Sequence, residues 1–170
     1  MSGTHIAGQH GMNTIQQADA QTRREARRKL LRIGIALGIG LAGTLDEVIF
    51  HQLLQWHNFY VQTTEFWRIF SDGLFHLFSS AMLGLAAALL WSDRRLLATL
   101  DDGQALVGGL LCGMGGFNLY DGTIQHKLLR LHPVREGVPN QLPYDLVWNG
   151  AALVLLVLGV LNWRAARRNA

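Results

Sequence analysis

The sequence has few cysteines, few prolines and few charged residues. Its one cysteine, Cys112, excludes a disulfide framework within the chain and any zinc or iron–sulfur site built from several cysteines. With 3 prolines beside 19 glycines, the composition is not collagen-like. Charged residues make up 16% of the chain and hydrophobic residues 49%. Because a soluble domain usually has about a quarter charged residues, this balance predicts a membrane protein.

Four apolar blocks are long enough to cross a bilayer as helices, which takes about 20 mainly apolar residues. They run from about 33 to 55, 74 to 91, 104 to 131 and 146 to 163. A helix satisfies its own backbone hydrogen bonds in lipid, so we expect an all-α fold, a transmembrane four-helix bundle, over residues 23–170. Residues 1–22 are polar without apolar periodicity, and there we expect a disordered cytoplasmic tail.

Lysine and arginine residues predict the orientation. Eleven of the 15 lie before the first block, between the second and third blocks, or after the fourth. Since basic loops stay in the cytoplasm, we expect both termini on the cytoplasmic side of the membrane. The basic run at 23–32 lies beside a membrane helix, which favours contact with anionic lipid and disfavours nucleic acid as a partner.

Two pairs of glycines are spaced for close contacts between helices. Gly34 and Gly38 are four residues apart in the first block, and Gly109 and Gly113 have the same spacing in the third. In membrane helices, small residues at this spacing let two backbones approach closely. The pattern predicts helix contacts within the bundle or between copies of the chain, and the oligomeric state stays open.

The chain repeats itself with a shift of 75 residues. Residues 46–57 and 121–132 both fit the pattern Asp-x4-His-x2-Leu-x2-His. At the start of the second and fourth helices, with a shift of 73, Asp72 is followed four residues later by His76 and Asp145 by Asn149. A shift by one pair of helices keeps the direction of the chain, so we expect two parallel two-helix repeats.

The repeats bring acidic and imidazole side chains to one level of the predicted bundle. The helical rise per residue places them in the outer part of the bilayer, where ionisable residues normally face the interior and pair. Facing helices of bundles build His/carboxylate metal sites in this way. The candidate ligands are His51, His76, His126, Asp46, Asp72, Asp121, His57, His132, Asp145 and Glu47. This set exceeds the needs of one tetrahedral ion, so we expect two ions, with some residues supporting the ligands.

The ligand types restrict the metal without naming it. Mixed His and carboxylate sets favour zinc, iron, manganese or cupric ions. The sulfur residues Cys112, Met82 and Met114 lie further toward the cytoplasm, which disfavours a cuprous site. We rank the transition metals with copper slightly ahead of iron and zinc. The preferred interpretation is a redox-active metalloprotein that acts on a small or lipid-soluble substrate.

Other functions stay open for the same residues. A zinc-dependent membrane hydrolase would use a carboxylate to activate metal-bound water. A non-enzymatic metal-handling or oxidase-assembly protein would deliver ions to a partner protein. His51 and His126 could instead bind a b-type haem, which would leave the carboxylates unexplained. A proton pathway is disfavoured, because the inner halves of the four blocks are apolar.

Structural roles also compete with metal binding. Asp72 and Asp145 could cap their helices, where a carboxylate suits the helix dipole. His57 and His132 could lie at the membrane interface. Asp–His pairs could also join helices without any metal.

These motifs resemble those of an uncharacterised bacterial family of small, four-helix predicted membrane proteins of unknown function. The resemblance covers roughly residues 30–163 and rests on 46–57, on 72–76, and on 121–132 with Tyr144-Asp145. Glu47 departs from the Asp-Gly pair present at Asp121-Gly122, which makes Glu47 an individual feature of this chain. The resemblance implies an inner-membrane location and no particular reaction.

Overall fold

The computed structural model describes the backbone of residues 3–100 and 103–168 and the side chains of 15–97 and 103–168. This part of the chain is helical and contains no strand, so the predicted all-α fold is confirmed there. The helices are α1 (Gly3–Asp46), α2 (Glu65–Ser92), α3 (Arg94–Leu100), α4 (Gln104–Tyr120) and α5 (Leu142–Arg168). The first π segment (Glu47–Leu53) continues α1 without a break, and the second π segment (Asp121–Leu128) continues α4.

Helix α1 begins at Gly3, well before the first apolar block. The sequence predicted a disordered tail for 1–22; residues 1 and 2 lie outside the described part, and the remainder is helical. No proline interrupts this segment, and adding residues to an existing helix is much easier than starting one. A side-chain hydrogen bond of 3.0 Å between Gln21 and Glu25, one turn apart, supports the extension.

Three helical stretches are long and apolar enough to cross a membrane: Ile15–Leu53, Glu65–Ser92 and Leu142–Arg168. The fourth predicted block, α4 with the second π segment, is not among them. Its glycines and polar residues lower its hydropathy, and it packs between α1 and α5. A helix covered on two sides by protein needs fewer large apolar side chains than one that faces lipid.

Helices α1 and α4 form the centre of the molecule, with α2 packed on α1 and α5 packed on α4. The central contact depends on glycine. A Cβ atom added at Gly38 would lie 2.8 Å from a backbone nitrogen of α4, and one added at Gly113 would lie 3.0 Å from the Cα of Ile35. Gly34 and Gly109, one turn earlier, make the same kind of backbone contact. The two glycine pairs therefore join α1 to α4 within one chain.

The outer helices present apolar side chains on their surfaces. Leu77 of α2 is 66% exposed and Val147 of α5 is 73% exposed, and both helices carry further exposed apolar residues. A surface of this kind is costly in water and suits the acyl chains of a bilayer.

Candidate metal centre

The two π segments bring an Asp and a His together in each half of the molecule. In an α-helix, residues five apart point about 140° away from each other. The i→i+5 hydrogen bonding of a π-helix places them on the same face, which suits the Asp-x4-His spacing. His51 Nε2 lies 3.6 Å from Asp46 Oδ2, and His126 Nε2 lies 2.9 Å from Asp121 Oδ2.

Both π segments end in the same kind of turn. Gln55 and Arg130, which are 75 residues apart, adopt left-handed backbone angles with φ of 50° and 53°. In the first turn the backbone N–H of Trp56 donates to the carbonyl of Phe50 at 2.8 Å, and the equivalent bond in the second turn measures 3.0 Å. Each turn directs the chain back over its π segment. The second histidine of each motif is thereby returned toward the first.

Four imidazoles and two carboxylates form one buried group, the His/Asp cluster. Its members are Asp46, His51, His57, Asp121, His126 and His132, all at most 5% exposed. The ring centroids of the two histidines within each half are 4.6 Å apart, and the rings of His57 and His132 stack across the halves at 4.6 Å. In each half, one ligand atom from the Asp and from both histidines lies within 4.8 Å of the others.

Many buried polar atoms of the His/Asp cluster have no hydrogen-bond partner among the described residues. They include Nε2 of His51 and His57, Nδ1 of His126, both ring nitrogens of His132 and Oδ1 of Asp46. A buried polar atom left unpaired costs about 1–3 kcal/mol. Nitrogen and carboxylate oxygen are ligands for transition metals, so a metal ion in each half fits these atoms.

The second histidines are neutral, and His57 is oriented for binding a metal. Its Nδ1 donates to the carbonyl oxygen of Val134 at 2.8 Å, which leaves Nε2 as the free, basic nitrogen. Burial, followed by the neighbouring His51 imidazole, lowers the pKa of His57 to about 3. Burial, followed by the His57 imidazole, lowers the pKa of His132 to about 2. Neutral imidazole is the form that coordinates a metal.

The first half carries two further carboxylates beside His51. Glu47 is 1% exposed, and its Oε2 lies 2.9 Å from His51 Nδ1; Asp72 Oδ1 lies 3.1 Å from the same nitrogen. Glu47, His51 and Asp72 form a third group that could hold an ion. Asp72 also accepts hydrogen bonds of 2.6 Å from the Asn58 side chain and from the Phe59 backbone. Partners of this kind orient a metal-binding histidine.

The second half lacks these extra carboxylates. Gly122 takes the position of Glu47, and a Cβ added there would lie 2.6 Å from Asn149 Oδ1, so a larger side chain has no room. Asp145 forms an ion pair with Lys127 and belongs to none of the three groups. His76 is half-buried and is also outside them. The two halves therefore share an Asp and two histidines and differ in the carboxylates around them.

Of the ten sequence-predicted residues, eight lie in these groups: Asp46, Glu47, His51, His57, Asp72, Asp121, His126 and His132. The sequence reasoning missed the side chains and carbonyl that support them, namely Asn58 and Val134. It also missed Phe75, whose ring stacks on His51 at 5.7 Å. Asn58 and Val134 lie in loops, and their only sequence signal is that each follows a motif histidine within two residues.

Searches of curated proteins and of solved structures each gave no match. Residues 33–166 match a family model described as "Predicted membrane protein (DUF2243)". The matched region contains both π segments and every residue of the His/Asp cluster. The predicted resemblance to an uncharacterised membrane-protein family is thus confirmed. The chain belongs to the DUF2243 family, membrane proteins of unknown function.

Proposed function

We propose that this chain is an integral membrane metalloprotein whose His/Asp cluster holds two transition-metal ions near the outer face of the membrane. The observation that carries the proposal is the cluster itself. Six ionisable side chains are buried in two similar halves, and many of their ring nitrogens and carboxylate oxygens have no hydrogen-bond partner among the described residues. Such a group is expensive to bury unless something coordinates it.

The proposed architecture is a four-helix bundle of two parallel repeats. Three candidate spans and the glycine-rich α4 supply four long helices. The repeat is supported by the turns at Gln55 and Arg130 and by the Asp and His pair that each π segment brings together, all displaced by 75 residues. Four crossings place both termini on one side, and the basic residues favour the cytoplasmic side of a bacterial inner membrane.

The ligand set favours a reactive site over a structural one. Each half offers one carboxylate and two imidazoles, and three protein ligands leave a coordination position for a substrate or water, as in catalytic metal sites. His and carboxylate ligands suit cupric ions, iron and zinc, with copper ranked first. The proposed role is redox chemistry on a small or lipid-soluble substrate at this site.

A zinc-dependent hydrolase is the second candidate, and Glu47 is the observation that favours it. Its carboxylate is buried beside His51, where it could act as the base for metal-bound water. A metal-handling role shares the same ligands and differs in releasing the ion to a partner protein. A haem between His51 and His126 is disfavoured, because the rings of His57 and His132 lie within 6.1 Å of both.

Elemental analysis of detergent-purified protein tests the proposal. Separate preparations would be supplied with copper, iron and zinc, and the bound ions per chain would be measured with visible and spin-resonance spectra. We expect about two ions in the natural protein, in line with two three-ligand groups. His51→Ala and His126→Ala should each lower this number. His76→Ala is the matched control, since His76 lies outside the groups and should retain the metal.

The outcomes separate the candidates. A redox-active ion with its spectral features supports the first role, and zinc alone supports the hydrolase. Rapid loss of the ion to a chelator supports metal handling. A folded protein that binds no metal under any condition would contradict the proposal.

A further inference from the structure

An apolar cavity of about 670 Å³ lies beside the His/Asp cluster, bounded by α1, α2 and α4. Its volume falls in the range of pockets that hold small molecules, about 300–1,000 Å³. Leu74, Phe78 and Tyr120 lie at its edge and are about half exposed, at 53%, 50% and 49%. They belong to the outer surface that would face lipid, so a molecule dissolved in the bilayer has access to the cavity from the side.

The corresponding place in the other half has larger side chains at two positions. Gly116, which lines the cavity, corresponds to Leu41 in the repeat, and Gln125 corresponds to Phe50. The Phe50 ring packs against Trp148 with centroids 5.2 Å apart. The lining of the cavity thus has a small residue and an amide where the repeat has large apolar side chains.

Gln125 gives the cavity a polar end. Its side chain is 5% exposed and lines the cavity, and its Oε1 has no hydrogen-bond partner within the described ranges. An unpaired buried amide oxygen is costly, and a hydroxyl group would satisfy it. Gln125 directly precedes His126 of the His/Asp cluster.

A single layer of aromatic side chains separates the cavity from the cluster. Phe75 lines the cavity and stacks on His51 with centroids 5.7 Å apart. Phe59 also lines it, and its ring centroid lies 5.9 Å from that of His132. Aromatic walls favour an aromatic ring as the bound group. A ring seated there would lie next to the ligands of both halves.

We infer that this cavity binds a quinol-type lipid, a hydroxylated aromatic ring with an apolar tail. The ring lies among Phe59, Phe75 and Phe117, a hydroxyl group meets Gln125, and the tail leaves through the lipid-facing opening. An acyl chain of bulk phospholipid would use the apolar walls and leave Gln125 unpaired. The inference deepens the proposed function, because it names the substrate class of the same site.

Binding of a labelled decyl-hydroquinone to the metal-free protein in lipid nanodiscs tests the inference. Gly116→Leu introduces the residue found at the corresponding position of the repeat, Leu41, and should fill the cavity. Gln125→Leu should remove the hydrogen-bond partner of the ligand's hydroxyl group. We expect each variant to weaken binding about tenfold. Gln125→Leu loses one buried hydrogen bond to the ligand, and Gly116→Leu loses the contact surface that its added side chain covers. Gly150→Leu is the matched control, because Gly150 is exposed on α5 with no atom within 4 Å of an added Cβ.

Equal binding by the natural protein and the Gly116→Leu and Gln125→Leu variants would overturn the inference. Equal competition by decanol, which has the tail and no ring, would also overturn it and leave a plain lipid groove. Metal content measured on each preparation before its metal is removed keeps the two proposals distinguishable. Cavity-dependent quinol binding by a protein that takes up no metal under any condition would contradict only the metal centre, and a protein that holds metal as purified but binds no quinol would contradict only this inference.

Discussion

The contact between α1 and α4 should be intolerant of a single added methyl group at Gly38. A Cβ atom there would lie 2.8 Å from the Met114 nitrogen and 3.0 Å from the Gly113 Cα, with the Leu110 carbonyl closer still. Non-bonded carbon atoms rest at about 3.5–4.0 Å. All three neighbours are backbone atoms, so the helices themselves must separate, locally by about 0.5–1 Å.

We therefore expect Gly38→Ala to destabilise the protein by about 1–3 kcal/mol, the usual cost of overpacking a close contact. Gly84→Ala is the matched control. Gly84 lies in α2 with no atom within 4 Å of an added Cβ, so the better helix propensity of alanine should leave stability unchanged or raise it by up to about 1 kcal/mol. Both changes add the same methyl group to a helix.

The measurement is unfolding of the detergent-solubilised protein by titration with a denaturing detergent, followed by circular dichroism. Metal content should be determined on the same Gly38→Ala sample. The His/Asp cluster lies at the C-terminal ends of α1 and α4, and its halves meet through the stacked rings of His57 and His132. Separating the helices should lower metal content together with stability. If Gly38→Ala were as stable as Gly84→Ala, the inferred close packing of α1 on α4 would be refuted.

Three further predictions concern the repeated turns, the second histidines and the topology. Gln55→Gly and Arg130→Gly should keep full metal content and leave stability unchanged or slightly higher in the same unfolding assay, because glycine adopts the left-handed angles of these positions without steric cost. A loss of stability would show that the Gln55 and Arg130 side chains themselves stabilise the protein. His57→Ala and His132→Ala should each lower bound metal by about one ion, since each removes one of the three ligands in its half; unchanged elemental analysis would exclude them as ligands. A reporter that is active only in the cytoplasm should be active when fused to the C-terminus, and an inactive, stably produced fusion would contradict the proposed orientation.

Much of the candidate site could be read from the repeated motif. Asp46, His51 and His57, with their counterparts 75 residues later, were predicted as ligands from spacing alone, and the structure groups them. Glu47 was set apart as an individual feature of this chain, and the structure places it in contact with His51. The motif could be recognised because the same residue types recur at the same spacing in both halves.

The supporting partners of the site could not be predicted. Asp145 shares the repeat pattern with Asp72, yet it pairs with Lys127, whereas Asp72 contacts His51. His76 has the type and predicted depth of a ligand and lies outside the three groups. The difference arises from the loop and the neighbouring helix that each side chain contacts. Such contacts cannot be recognised from the residues next to it in the sequence.

The helical class, the membrane character and most of the candidate ligands could be predicted from the amino-acid sequence. Long apolar blocks and a repeated Asp-x4-His motif are local properties, and helices satisfy their hydrogen bonds locally. Only the folded structure shows that a π segment brings the Asp and His of each half together, that the carbonyl of Val134 orients His57, and that an apolar cavity lies beside the His/Asp cluster. Those features depend on packing between segments distant in the chain, which the local sequence pattern does not encode.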